Sequence, residues 1–445
     1  MPLFLAVVWV TFRLVTDLAA PFVQWVSEVV NGPVARWLVA LLRLVHLDGG
    51  WVESLVVDGV LAGVGGVLAF VPVLLVLYSA LALLEDSGYV MRAGTFTSGV
   101  MRVVGLPGAA FLPMVMGFGC TVPAVLAIRS LESRRDRVLA GLLVPFMSCG
   151  ARLPVYVLMA SVFFTTHKGS VVFSLYVLGI VVALAVGAVL SRTLLRAPAR
   201  ARPAAEPPPL RRPRLRGVVS LVYSRTASFV KGAGTLILGV SLLVWLLLAI
   251  PVRGGAGFGR AEVGDSAFAA GARVTAPLLV PMGSGTWEQA GVLAGGLVRK
   301  EVIISTLAQV TGMGDGRAAG DAGGCFAADL ALVGRGFLRA ARGALEAVPR
   351  IIGIPVGAPP GGTAPVALYD PVRRLFERGS GGHGALAAFA FMVFVLLCTP
   401  CTATLATIRR ELGARWMWVS ALGQGAVAWV LATLVFRIGL VTGLG

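Results

Sequence analysis

Apolar runs long enough to cross a bilayer alternate with short polar loops along most of the chain. A helix needs about 20 predominantly apolar residues to span the hydrocarbon core. Residues 59–84, 138–164, 170–190, 230–251, 385–408 and 417–436 have that character, and 3–22 adds a run interrupted by Arg13. Residues 290–310 are apolar except for Arg299, Lys300 and Glu301 in the middle. In 23–54, Trp25, Trp37 and Trp51 stand among Arg36, Arg43 and Glu53, which predicts a tryptophan-anchored interfacial stretch. The pattern predicts an all-α polytopic membrane protein.

The divisions follow from breaks in this pattern. Residues 1–54 read as a first membrane helix with an interfacial segment, and 55–195 as a first half. A Pro- and Arg-rich linker fills 196–228, with the composition of a disordered cytoplasmic segment. A second half occupies 229–445, with a Gly-rich extramembrane stretch before Glu288. That half also holds an extramembrane insert over about 312–384, with one amphipathic helical piece near 338–348.

The stretch from Gly117 to Pro154 departs most from a plain span. Two apolar segments flank a basic loop of Arg129, Arg134, Arg135 and Arg137, and each is broken by Gly or Pro beside a cysteine, Cys120 and Cys149. Broken backbone at membrane depth survives only where protein or a water-filled cavity satisfies its amides and carbonyls. Placing both basic loops in the cytoplasm makes 138–190 a hairpin across the membrane. Residues 107–128 then fit a re-entrant hairpin with GFGC near its tip, as in transporters whose half-helices meet at the midplane. Labelling that put Gly105 and Glu132 on opposite faces would refute this.

The composition agrees: 57% of the 445 residues are hydrophobic and 13% charged, and the mean hydropathy is +0.88. These values exclude an ordinary soluble domain. The net charge of +17 sits in short loops between apolar runs, so it reads as positive-inside topology rather than as a nucleic-acid surface. The N-terminus lacks the basic region and cleavage site of a signal peptide. Of the five cysteines, Cys120, Cys149, Cys398 and Cys401 lie in apolar segments, unlike a secreted disulfide framework. Thiolates beside broken-helix carbonyls suit a borderline transition metal, although a buried cysteine also serves as a small apolar side chain.

Charges inside apolar segments cost about 2.5 to 3.5 kcal/mol each at a helix centre unless paired or hydrated. Arg152 fits either a pathway residue or an interfacial side chain that snorkels. Arg299 fits the interface, whereas Glu301 points to function, because a carboxylate cannot reach far. His46, His167 and His383 are isolated and support no histidine metal site. None of the three lysines (Lys168, Lys231, Lys300) precedes Ser or Thr, so no G-x-x-x-x-G-K-[ST] phosphate loop exists here. The expectation is a transporter and not an enzyme.

Six motifs resemble the membrane region of the FeoB family of bacterial ferrous-iron transporters. They are LLEDSGYVMRA (83–93), GLPG (105–108), GFGCTVPA (117–124), PFMSCGARLPVY (145–156), GGLVRKEVIISTL (295–307) and TPCTATLATIRRELG (399–413). The resemblance implies two gate-type halves with broken or re-entrant helices in a multi-pass protein of the bacterial inner membrane. It implies Cys120, Cys149 and Cys401 as iron-path ligands with Glu301 as a charged partner, and Fe(II) as transported substrate rather than resident cofactor. Cys398 stands where the family often has an aromatic residue and is set apart from the other three. The family carries an N-terminal GTP-binding domain, and this chain starts where that domain should end. The partners implied are therefore the bilayer, Fe(II), a separate GTP-binding protein, small cytoplasmic regulators and a second copy of the chain, with no nucleic acid. Two other readings stay open: another divalent metal or a nucleoside on the same scaffold, or a non-transporting membrane anchor for a GTPase.

Overall fold

The structure is a computed structural model that describes residues 2–46, 50–86, 98–99, 101–164, 166–195, 214–252, 258–259, 262–298, 300, 302–310, 326–351 and 368–443. Among these residues the named elements are all helical, with one isolated bridge between Pro251 and Ser266. Six helices are long and apolar enough to cross a membrane: Trp51–Leu83, Arg134–Phe163, Lys168–Arg192, Leu215–Ala249, Gly384–Leu412 and Ala414–Thr442. Helices close every backbone hydrogen bond within one segment, which is what a lipid environment demands. The all-α polytopic expectation is met.

The chain groups into two compact units that interleave in sequence. One comprises Met1–Leu83, Pro213–Gly271 and Asp315–Gly362, the other Leu84–Arg212, Ala272–Gly314 and Thr363–Gly445. In the first unit, helix Pro2–Val29 continues through a π-helical turn, Val30–Val34, into helix Ala35–Leu44. Pro33 lies inside that turn, where the wider winding accommodates a residue without an amide hydrogen.

The stretch 23–54 makes contacts that the sequence pattern alone does not show. Trp25 donates from Nε1 to the Val333 carbonyl at 3.0 Å and packs edge-on to Phe337. Trp37 donates to Asp329 Oδ2 at 3.0 Å, and Arg36 pairs with the same buried carboxylate. These side chains join helix 2–29 and its extension to helix Phe326–Ile351, which runs well beyond the amphipathic piece expected at 338–348. Trp51 opens a membrane-length helix instead of closing an interfacial one.

Two further expectations shift. Helix Leu215–Ala249 starts inside the proposed 196–228 linker, because the apolar run Val218–Tyr223 lies beyond the last proline of that stretch. Residues 196–213 lie outside the described residues. Part of the Gly-rich stretch before Glu288 is helix Ala267–Leu279, whose sequence AFAAGARVTAPLL is rich in alanine and leucine.

The second unit repeats one arrangement twice. A hairpin of two short helices, Phe111–Gly119 and Thr121–Ala127, precedes the broken span Arg134–Phe163. A second hairpin, Trp287–Val298 and Val302–Val310, precedes the broken span Gly384–Leu412. The two helices of each hairpin pack on one another, and neither first-hairpin helix is long enough to cross a membrane.

Candidate functional site

Proline chemistry places the breaks. Pro123 has no amide hydrogen to give to the Gly119 carbonyl four residues back, and its ring would crowd that carbonyl. The helix stops at Gly119, and Cys120 takes an extended conformation (φ −152°, ψ 130°) before the next helix begins. Pro145 acts likewise in the neighbouring span. Helix Arg134–Leu143 gives way to a 3₁₀ turn, Val144–Phe146, and an extended Met147–Cys149 segment. A second 3₁₀ turn, Gly150–Arg152, leads into helix Leu153–Phe163. Gly117 brings the hairpin onto this break: a Cβ there would sit 2.9 Å from Met147 Cβ and 3.2 Å from the Val144 carbonyl.

Arg152 resolves the carbonyls that the break exposes. It is 1% exposed, and its Nη1 donates to the carbonyls of Pro145 (3.4 Å) and Met147 (3.3 Å). The snorkelling alternative for Arg152 is thereby overturned, since its guanidinium turns inward to cap its own span. Ser148 donates to the Tyr156 hydroxyl at 3.3 Å and fixes the other side of the extended segment.

In the second half, Pro400 biases Thr399 toward extended backbone. The span breaks over four residues, from Cys398 (φ −64°, ψ 162°) to Cys401 (φ −58°, ψ 156°). Thr399 Oγ1 donates to the Ala421 carbonyl at 2.8 Å and pins this turn to the last helix. Cys401 starts helix Thr402–Leu412: its carbonyl accepts from the Thr404 amide at 2.9 Å, and its Sγ shares a hydrogen bond with Thr404 Oγ1 at 3.3 Å.

The apolar segment 290–310 is not one helix. One helix ends at Val298 and the next begins at Val302; between them Lys300, 4% exposed, reaches Cys398, where Nζ donates to Sγ at 2.8 Å. Arg299 and Glu301 lie outside the described residues, so the expected role of Glu301 has no geometry here. Arg152 lies within electrostatic reach of Cys149, Cys398 and Cys401, and Cys401 within reach of Cys149 and Lys300. Arg152 thus lies within reach of thiols at both helix breaks, and Lys300 contacts one of them, Cys398. Cys120, partly exposed, stands at the tip of the first hairpin. The four cysteines are thiols, and among the described residues no three His, Cys, Asp or Glu side chains form a group that could hold a metal ion.

Helices Thr121–Ala127 and Thr402–Leu412 pack together, each starting at a cysteine. Beyond the end of the first, Arg129 makes a forked pair with Glu411 near the end of the second, Nε to Oε2 at 2.6 Å and Nη2 to Oε1 at 2.5 Å. Joined at these ends, the two helices run in the same direction from Cys120 and Cys401.

Sequence reasoning missed the Lys300–Cys398 contact. The charged triplet was visible, but 295–303 has no proline to mark a break, and its two glycines precede the charges.

Two hairpins and two broken spans with thiols at the breaks make a gate-type membrane protein, and residues 67–163 and 230–415 match the gate family described as nucleoside recognition. Residues 172–225 match the ferrous iron transport protein B C terminus. The chain belongs to the FeoB family, as a multi-pass protein of the bacterial inner membrane. It is 33% identical over 448 residues to the Fe(2+) transporter FeoB of Legionella pneumophila (strain Philadelphia 1), covering 98% of this chain and 57% of that protein. The Fe(2+) transporter FeoB of Staphylococcus aureus (strain COL) is 36% identical over 316 residues, covering 71% of this chain and 47% of its own. That of Methanocaldococcus jannaschii is 37% identical over 321 residues, covering 69% and 45%. The chain spans about half the length of these curated relatives. No solved structure matches it.

Proposed function

We propose that this chain is the permease part of a FeoB-like system and carries Fe(II) into the cytoplasm past the thiols of Cys120, Cys149 and Cys401. The observation that carries the reading is the gathering of Cys149, Cys398 and Cys401 at the breaks of two membrane-length helices. Soft sulfur ligands favour a transition metal over magnesium or calcium. Thiols spread over separate helix breaks would suit passage, because an ion must bind firmly enough to enter and weakly enough to leave. Glu301, next to Lys300 in sequence, is proposed as the acidic partner. The first hairpin, with its tip at Cys120, is proposed to dip into the membrane and return to the same face.

These residues hold no G-x-x-x-x-G-K-[ST] loop. Motion of the gate is therefore assigned to a GTP-binding domain or protein acting on it, with small cytoplasmic regulators and self-association as further partners. Fe(II) uptake into liposomes containing the full chain, with and without such a GTP-binding partner, tests the reading. Cys149→Ser and Cys401→Ser should each lower uptake by at least about tenfold, and Cys120→Ser by a similar factor. Undiminished uptake in all three would refute thiolate ligation. The family description also names nucleosides, so the same liposomes are offered Mn(II), Co(II) and a nucleoside. Uptake of one of these without Fe(II) would replace the substrate.

A further inference from the structure

We propose that Lys300 is a tethered cation that occupies the cation position beside Cys398 in the empty gate, so that a divalent metal ion binds there by displacing the Lys300 ammonium. This rests on the reading of the gate as a metal path and adds to it a residue that sets which ions are admitted.

Lys300 is buried, and its Nζ donates to Cys398 Sγ at 2.8 Å. Among the described residues no carboxylate forms an ion pair with it. A buried ammonium is costly unless it is partnered, and the partner shown here is a soft sulfur of the kind that thiophilic metal ions also seek. The sulfur's other contact is a long one, Cys398 Sγ to the Val395 carbonyl at 3.5 Å.

Arg152 places a second buried cation within reach of the same thiol. A dication arriving beside two resident positive charges meets repulsion from both, so one of them has to leave. Arg152 is held by two backbone carbonyls of its own span, and removing it would strip them of their donors. Among the described residues Lys300 makes one side-chain hydrogen bond, and it has a flexible four-carbon stem and a position between the two hairpin helices. It is the cation that moves. As the metal–sulfur bond forms, the ammonium withdraws with its three protons and the Cys398 thiol gives its own proton to water. An ion that binds sulfur weakly, such as magnesium, does not drive this exchange, whereas Fe(II) and Co(II) do.

The test uses the full chain in lipid nanodiscs with Co(II) as the probe, read by thiolate-to-Co(II) charge-transfer absorption. Lys300→Met removes the competing charge and keeps the length of the stem. It should bind Co(II) about tenfold more tightly than the parent, as expected when an occupied site becomes vacant. The double substitution Lys300→Met, Cys398→Ser should abolish that gain. Equal or weaker binding by a monodisperse Lys300→Met protein would overturn the proposal, since it would make Lys300 a strut between segments. A second measurement needs no variant. Acetylation of Lys300 by an amine-reactive ester, followed by mass spectrometry, should rise several-fold on adding Co(II) while alkylation of Cys398 falls. Unchanged acetylation overturns the proposal as well. Iron uptake is not read in either experiment, so a chain that shows the exchange and moves no Fe(II) refutes the transport reading alone.

Discussion

The two halves of the gate share one architecture and distribute their chemistry differently. In the first, the hairpin tip is a cysteine, Cys120, and the break of the span carries Cys149 with Arg152. In the second, Lys300 lies between the two hairpin helices, and the break carries Cys398 and Cys401. Both buried cations lie within reach of the second break: Lys300 from its own half, and Arg152 from the other. A shared fold therefore does not imply two equivalent metal positions. At the second break a buried ammonium sits directly on a thiol, Lys300 Nζ to Cys398 Sγ at 2.8 Å, and under the exchange proposed above an entering cation would compete there.

The sharpest way to break the comparison is to remove each buried cation in turn. Arg152 caps two buried carbonyls, so Arg152→Met should destabilise the protein by roughly 2 to 5 kcal/mol, with loss of uptake. Thermal unfolding in detergent, followed by tryptophan fluorescence, measures this. Arg152→Lys should recover only part of the loss, because an ammonium lacks the planar fork of donors. Lys300→Met should cost much less stability and should tighten metal binding. Similar destabilisation by both substitutions would show that the two cations do the same work, and the contrast between the halves would fail.

How much of this was legible in the sequence follows from what marks a break. Pro123, Pro145 and Pro400 announce theirs, because a missing amide hydrogen acts locally, and the cysteines beside them were found. The break at Lys300 has no such mark; valine, arginine, lysine and glutamate all tolerate a helix, and only tertiary packing ends it there. The inward turn of Arg152 was undecidable for the same reason, since the chain does not announce which carbonyls a neighbouring break leaves exposed. Trp25 and Trp37 carry contacts that the interfacial pattern did not announce: their indoles donate to the Val333 carbonyl and to the buried Asp329 carboxylate. The start of helix Leu215–Ala249 was hidden by the prolines and arginines just before it, whose composition dominates any window that contains them.

A smaller effect separates the two hairpins. Alanine at Gly117 would press its Cβ against Met147 Cβ and the Val144 carbonyl, both close to the main chain of the first break. The corresponding intrusion at Gly296 meets only Cγ1 and Cδ1 of Ile303, at 2.7 Å. The end of a side chain can rotate away, and a backbone carbonyl cannot. Gly117→Ala should therefore cost about 1 to 3 kcal/mol, the range for an overpacked core, and Gly296→Ala less. The midpoints of thermal unfolding rank the two. The reverse ranking would mean that the second hairpin, not the first, is the one clamped to its surroundings.

The smallest effect is expected at the far end of the paired helices. Arg129 and Glu411 form a forked ion pair, but the Arg129 side chain is 59% exposed, so water and salt screen it. Arg129→Ala should cost no more than about 1 kcal/mol, and the loss should shrink as ionic strength rises. Exchanging the charges, Arg129→Glu with Glu411→Arg, should restore most of it. The informative reading is of metal binding rather than stability. The pair joins the ends of the two helices that begin at Cys120 and Cys401, one from each half, while the Lys300–Cys398 contact lies wholly within the second half. If the halves act independently at the metal, Arg129→Ala leaves the Co(II) affinity of the Lys300→Met protein unchanged. If Arg129→Ala shifts that affinity as much as Lys300→Met itself does, the joint between the helices sets the position of the second break, and the two halves behave as one gate.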